Sequence, residues 1–175
     1  MFFSRMQTLT VSVNTVRVMG KGLASRAKYQ FPDVYLRYQD ACRSGRLKMG
    51  KPYLYKRESS LDLDLADEPA MLTSANGDTW FLLFATKHHW REPADLRGIE
   101  DGLTWLVANY KREGITSLAI PALGCGLGRL EWSVVGPLMC KQLASMDIPV
   151  RLYLPAEKHV PDEQITREFL LGGTV

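Results

Sequence analysis

Lys87, His88, His89, Trp90 and Arg91 put an amine, two imidazoles, an indole and a guanidinium in one unbroken run, the chemically richest in the chain. Two glycine-rich stretches lie on either side of it in sequence, NTVRVMGKGLA at 14–24 and PALGCGLG at 121–128. Each reads as a short run leaving a strand, a bend with glycine at alternate positions, and the start of a helix. Glycine tolerates positive φ and lets backbone N–H groups approach a ligand, so such bends can serve as anion cradles at helix N-termini. Two of them in one small domain suggest a nucleotide-diphosphate ligand.

Two other chemistries have less support. His88 and His89 are neighbours at a strand end, where successive side chains point to opposite faces, so the pair falls short as a metal site and no metal is expected. Cys125, in the second bend, could be a thiol nucleophile working with His88 or His89, since a following helix dipole lowers a thiol pKa. No third residue to orient the histidine can be named, and a small buried cysteine is common in tight turns.

The frame that must position these groups is modest in size. The chain has 175 residues with 46% hydrophobic content, enough for one well-formed core. The expected domain is a single one over 1–175, with a core at about 7–155 and a closing helix at about 161–171. The formal charge of +3 is mild for a nucleic-acid binder. Its distribution is uneven: Arg43, Arg46, Lys48, Lys51, Lys56 and Arg57 are unaccompanied by any acid, whereas 58–68 carries acids alone. Cys42, Cys125 and Cys140 form no CxxC pair, which fits a reducing cytoplasm. No apolar run approaches the roughly 18 residues that span a bilayer, and no signal-peptide pattern follows Met1, so no membrane association is expected.

Leu9, Val11 and Val13 alternate with Thr10, Ser12 and Asn14, predicting a strand over 8–14 that ends at the first bend. Helices are predicted from Leu23 to Gln30 and, capped by Asp33, to Ser44 with Gly45 as the stop. Tyr35, Tyr38, Ala41 and Cys42 then share a face that reads as core. A short strand follows at 52–56, and Asn76-Gly77 predicts a hairpin into WFLLFAT, 80–86, a strand buried on both faces. Helical spacing recurs from Asp95 to Glu113 with Gly114 as terminator. A short strand ends at Pro121, and a helix bearing Trp132, Val135 and Met139 contains Pro137. Val150–Leu154 is the last strand, and Pro161, Asp162 and Glu163 open the closing helix. Alternating strands and helices give an α/β sandwich with ligands at the carboxyl ends of the strands, where both bends and Lys87 fall.

With these residues in place, the sequence resembles the macrodomain family, most closely its DarG-type DNA ADP-ribosyl glycohydrolases and the related terminal ADP-ribose glycohydrolase. The matching motifs are NTVRVMGKGLA (14–24), FATKHHWR (84–91), the helix start near Ile99-Glu100-Asp101-Gly102-Leu103, and IPALGCGLGRLEW (120–132). The resemblance implies a three-layer α/β/α fold around a mixed sheet and an ADP-ribose site. Asn14, Met19, Gly20, Gly22 and Leu23 would surround the distal ribose and diphosphate from one side. Pro121, Gly124, Cys125, Gly126, Leu127 and Gly128 would enclose the phosphates and ribose from the other, and Leu154 and Pro155 would lie near the adenine. Lys87, closing the FATK motif, would act at the ribose carbon from which the modified group departs. Arg17, Lys21, His88, His89, Trp90 and Arg91 stand as further substrate contacts. No cofactor is implied. A lysine there is useful if neutral, as a nucleophile, or if cationic, stabilising a leaving oxyanion; crowding by Arg91 and protonated His88 or His89, with burial beside Trp90, would favour the neutral form.

Three features depart from the family pattern. Relatives begin with another strand and a Gly-Asp pair that reads the adenine amino group, whereas this chain starts at Met1-Phe2-Phe3; either the assigned start is short or adenine recognition is weakened. The terminal ADP-ribose glycohydrolase has an acid where this chain has Gly128, which shifts the match towards the DNA-directed group. Arg17 stands where relatives usually have glycine. The implied function is removal of ADP-ribose from modified DNA, thymidine being the expected acceptor. An antitoxin-like role against a cognate ADP-ribosyltransferase is implied too, acting by reversal because the chain ends at Val175. The alternatives are an ADP-ribose reader that does not cleave, and a hydrolase of small derivatives such as O-acetyl-ADP-ribose.

Overall fold

A computed structural model of the chain describes residues 1–57, 79–155 and 158–172. The expected hairpin at Asn76-Gly77 and the acidic stretch 58–68 lie outside the described residues. Five strands form one sheet in the order β2-β3-β1-β4-β5: β1 Thr8–Asn14, β2 Tyr53–Tyr55, β3 Trp80–Lys87, β4 Leu118–Pro121 and β5 Val150–Tyr153. All neighbours are parallel except β2, which runs antiparallel to β3, so the sheet is mixed. No strand precedes β1 among the described residues; a turn from Met1 to Ser4 comes first, with Phe2 packed edge-on against Phe31 at 5.6 Å.

The two faces of the sheet build two cores. Leu9, Val11 and Val13 of β1 and Phe81, Leu83 and Ala85 of β3 pack against α1 (Gly22–Gln30) and α2 (Pro32–Arg43). Leu82 and Phe84 pack with Leu118 and Ile120 against α3 (Leu96–Glu113) and α4 (Trp132–Leu143). The period-2 alternation therefore divides side chains between two apolar layers, and β3 is buried on both faces from Phe81 to Thr86 as its continuous apolar run predicts. Tyr38 and Ala41 are fully buried in the first core, as their shared helical face predicts.

Local signals explain most helix ends. Asp95 caps α3 by accepting from the Gly98 N–H at 3.1 Å, and Gly114 ends it at φ +79. Asp33 does not cap α2, contrary to expectation. Pro32 already opens that helix, and the Asp33 carboxylate instead accepts from Tyr55 Oη at 3.2 Å and Arg57 Nε at 3.0 Å, tying α2 to the edge strand. Pro137 lies inside α4, which begins at Trp132. At the C-terminal end, a 3₁₀ turn over Asp162–Ile165 is followed by a π turn over Glu168–Gly172. Thr166 separates them: its backbone is extended, and its Oγ1 accepts from the Phe169 N–H at 3.2 Å, capping the second turn afresh.

Gly102 lets α3 approach the sheet, because a Cβ there would meet the Phe84 ring at 2.5 Å. Phe84 lies on the strand that carries Lys87, so this packing fixes the height of the site's strand against its helix. Gly102→Ala is expected to destabilise the protein by about 1–3 kcal/mol. The midpoint of denaturant unfolding measures the loss.

Candidate active site

β1 and β3 pair in register from Thr8 to Val13, and then the register slips. Val13 faces Ala85 but Asn14 faces Lys87, leaving Thr86 as an extra residue on β3. Such an irregularity re-aims the side chains at a strand end. Here it sets Lys87 directly beside the residue from which the first bend departs. Thr15, the next residue, donates its N–H to the His88 carbonyl at 3.1 Å, so the exits of the two strands are knitted together.

Asn14 organises that bend from inside. Its side chain is only 6% exposed. Oδ1 accepts from the N–H groups of Val16 at 3.0 Å and Val18 at 3.3 Å, while Nδ2 donates to the Val18 carbonyl at 2.7 Å. The Tyr38 hydroxyl lies 2.8 Å from Oδ1 and 2.9 Å from the Asn14 carbonyl oxygen. Burial holds the pKa of that hydroxyl above the usual tyrosine range, keeping it a donor. Arg17 takes φ +68, which explains why glycine suits this position; its side chain is exposed at the tip. Met19 is buried beneath the bend, Gly20 and Lys21 are exposed, and Gly22 opens α1 with φ +62 while Leu23 is half-buried. No side chain caps α1 and no acid stands in its first turn, so its leading N–H groups remain available to an anion.

The second bend combines backbone bonds, the Leu130 N–H donating to the Gly124 carbonyl at 3.0 Å and the Arg129 N–H to the Gly126 carbonyl at 3.1 Å, with tight steric limits. Gly124 has φ +75, and a Cβ there would meet Leu130, Ala94 and Ile99 at 2.8–3.1 Å. A Cβ at Gly128 would strike the Gly124 carbonyl oxygen and come within 2.8 Å of Ala94 Cβ. A side chain at 128 therefore does not fit this backbone without a shift, so this position offers Lys87 no acid partner of the kind expected in the terminal ADP-ribose glycohydrolase. Gly126 differs, being exposed with nothing near its missing Cβ. Pro121, half-buried at the end of β4, leads into the bend. Cys125 is 1% exposed, and burial pushes its thiol up to about 11, so it is no thiolate nucleophile.

Leu127 joins the two bends. Its carbonyl accepts from Lys87 Nζ at 3.1 Å, and its Cδ1 lies 3.4 Å from where a Gly22 Cβ would stand. The Lys87 pKa is lowered, first by burial and then by the Arg129 guanidinium, with Glu92 opposing both. The direction is the expected one, but the cationic neighbour is Arg129 and neither Arg91 nor a histidine. Arg129 sits at φ +64 directly after the second bend. Its place beside a glycine run was the only signal in the sequence.

Past Lys87, residues 89–92 make a tight turn. The Glu92 N–H donates to the His89 carbonyl at 3.1 Å, and the Glu92 carboxylate accepts from the His89 N–H at 3.2 Å. The Arg91 N–H donates to His89 Nδ1 at 3.2 Å, which places any proton of the neutral ring on Nε2. At the opposite end of the site, Leu154 is exposed and Pro155 half-buried after β5. Beside them a cavity of about 230 Å³ is lined by Cys125, Glu131, Trp132, Pro155, Lys158 and Gln164. Among the described residues no cluster of three metal-ligating side chains occurs. No described helix is long and apolar enough to cross a membrane.

The basic stretch is divided by the fold. Lys48 and Lys51 form a turn before β2, and the antiparallel pairing of Tyr53 with Leu83 puts that turn towards the Lys87 end of β3. Arg57 is held by Asp33, and Lys56 lies over the Trp80 ring at the other end of the strand.

No family model matches the chain. It is 67% identical over 99% of its length to the DNA ADP-ribosyl transferase–DNA ADP-ribosyl glycohydrolase fusion protein of Thermosipho africanus, covering 45% of that protein. The Thermosipho DarTG structure in complex with ADP-ribose superposes with a TM-score of 0.88 at 65% identity, over 98% of this chain and 44% of that one. The DNA ADP-ribosyl glycohydrolase of Thermus aquaticus is 35% identical over 86% of this chain and 38% of its own. The Thermus DarG macrodomain superposes with a TM-score of 0.73 at 33% identity, over 87% of this chain and 91% of that one. The chain spans less than half the length of the curated relatives it matches.

The two kinds of glycine in the second bend separate experimentally. Gly128→Asp is expected to lose about 1–3 kcal/mol of stability through its backbone clash, whereas Gly126→Ala should unfold at the wild-type midpoint; thermal and denaturant unfolding compare them. With both bends at the carboxyl edge of a mixed sheet, Lys87 beside the first and bonded to the second, and one-third identity across nearly all of a solved DarG macrodomain, the chain belongs to the DarG-type branch of the macrodomain family.

Proposed function

We propose that this macrodomain removes ADP-ribose from modified DNA, with Lys87 acting at the anomeric carbon of the distal ribose. The observation that carries the reading is the Lys87 amine, which leaves a strand beside the first glycine bend, reaches the Leu127 carbonyl of the second, and has its pKa lowered by burial and by Arg129. The uncapped N-terminus of α1 and the open backbone at Gly126 suit a diphosphate, the cavity beside Pro155 suits the adenine, and Arg129 adds a cation near Lys87. The ADP-ribose in the Thermosipho complex supports the choice of ligand.

In this mechanism the neutral amine attacks the anomeric carbon. The glycosidic C–N bond breaks, and its electron pair and a proton leave with the base. The ribosylated lysine supplies that proton, and attack by water at the same carbon, with one water proton passing to the departing lysine nitrogen, returns the free amine and releases ADP-ribose. Leu127 O accepts from Nζ beforehand and orients the amine lone pair towards the cleft. A DNA ADP-ribosyltransferase is the partner that would supply the substrate, as the fused transferase of the Thermosipho relative suggests, and the pair would operate in a reducing cytoplasm as toxin and antitoxin.

The test offers the protein an oligonucleotide ADP-ribosylated on thymidine, beside ADP-ribosylated protein and O-acetyl-ADP-ribose. Release from the oligonucleotide is expected, falling at least about 10²-fold in Lys87→Ala, with ADP-ribose affinity roughly intact. Processing of O-acetyl-ADP-ribose alone would replace this reading with that of a small-molecule hydrolase, and binding with no turnover would leave a reader. Because the neutral amine is the reactive form, kcat/KM should rise with pH, with a midpoint below lysine's ordinary 10.5. Arg129→Ala removes a cation that favours the neutral form, so it should move that midpoint to higher pH.

A further inference from the structure

The order of strands gives the cleft a direction. Along the carboxyl edge, the cavity beside Pro155 follows β5, the second bend follows β4, the first bend follows β1, and Lys87 ends β3. A ligand with its adenine at β5 and its reacting ribose at Lys87 therefore releases its acceptor at the β3 end of this edge. The turn at 89–92 follows Lys87 directly along the chain, and it exposes an indole beside Arg91 and Glu92. Trp90 is 48% exposed. The His89 ring lies 5.3 Å away at an interplanar angle of 31°, and the Arg91 guanidinium lies 4.5 Å from the indole centroid.

Four observations set this turn apart from an incidental surface aromatic. Its backbone is closed by bonds in both directions between His89 and Glu92, so the indole stands on a fixed base. The His89 ring is itself fixed by the bond from the Arg91 N–H. Three planar groups are thereby brought side by side, two of them aromatic and one cationic. The turn follows directly on the strand that carries the amine, and His88 between them is tied to the first bend by the N–H of Thr15.

The geometry points to the 89–92 turn as a nucleobase platform: the base that leaves the ribose extends the His89–Trp90–Arg91 stack. Unpaired bases stack on aromatic rings and on arginine planes, and a flanking guanidinium also meets the backbone phosphate. The substrate class that fits is an unpaired, single-stranded DNA base, since a base held in a duplex has both faces covered. Trp90 is thus a specificity-determining residue for the acceptor, distinct from the residues that hold ADP-ribose. This inference rests on the proposed glycohydrolase reading for its choice of acceptor, while its binding arm does not require turnover.

The test compares wild type, Trp90→Ala and Trp90→Phe. On an ADP-ribosylated single-stranded oligonucleotide, Trp90→Ala should lower kcat/KM about 5- to 150-fold, the usual effect of losing one base-stacking aromatic. Trp90→Phe should retain most of the rate, and affinity for free ADP-ribose should be unchanged in both. In a Lys87→Ala background, an unmodified single-stranded oligonucleotide should quench tryptophan fluorescence, and Trp90→Phe should abolish that quenching. Wild-type kcat/KM in Trp90→Ala would overturn the platform, as would a parallel loss of ADP-ribose affinity or quenching that survives in Trp90→Phe. If wild type releases nothing from DNA while quenching still depends on Trp90, the glycohydrolase reading fails and the platform stands.

Discussion

The site depends on the pairing of β1 with β3 and on the slip that ends it. Parallel strands present their carboxyl ends to one edge, and in register Asn14 would have faced Thr86. The extra residue brings Lys87 opposite Asn14 instead. One strand end then launches a backbone cradle while its neighbour presents an amine that reaches across to the Leu127 carbonyl of the second bend at 3.1 Å. Buried packing on both sides holds the pair in place: Leu83 and Ala85 face one core, Leu82 and Phe84 the other. A strand anchored in this way cannot easily slide, because a one-residue shift would exchange its two faces.

The two bends reach a similar shape by different physics. The first is held by hydrogen bonds converging on Asn14, whose amide substitutes for ladder partners the chain has left behind and is itself pinned by Tyr38. The second is closed by backbone bonds in place of an amide side chain, and Gly124 and Gly128 are fitted tightly against each other and against Ala94. Polar clamps tolerate an Arg17 at positive φ, at some cost in strain, because the side chain still points outward. A steric clamp tolerates nothing larger than glycine. The contrast accounts for the departure at 17 being accommodated while an acid at 128 is not.

Electrostatics at Lys87 follow from the same arrangement. Partial burial between the bends penalises the ammonium, the nearby guanidinium adds to that penalty, and Glu92 offsets part of it. Glu92 also closes the turn that presents Trp90, so one carboxylate both moderates the amine and shapes the surface beyond it.

Much of the frame was legible from residues alone, since strong local signals coincide with the tertiary outcome. The bounds of β1, the burial of β3, and the cap at Asp95 with the stop at Gly114 follow from periodicity, apolar run length and short-range hydrogen bonding. Lys87 and both bends could be placed at one edge because an alternating α/β pattern leaves little choice of topology. Where a side chain had a nearby option and a distant one, sequence was not enough. Asp33 could cap its own helix but meets Arg57 and Tyr55 across the fold, and Thr166 interrupts a segment that reads as continuous. The slip at Thr86, the nearness of Arg129 to Lys87 and the exclusion of a side chain at 128 are properties of pairs brought together from separate segments. Local order was thus written along the chain, whereas register, the charge around the amine and the steric limits of the cradle were decided only when those segments packed.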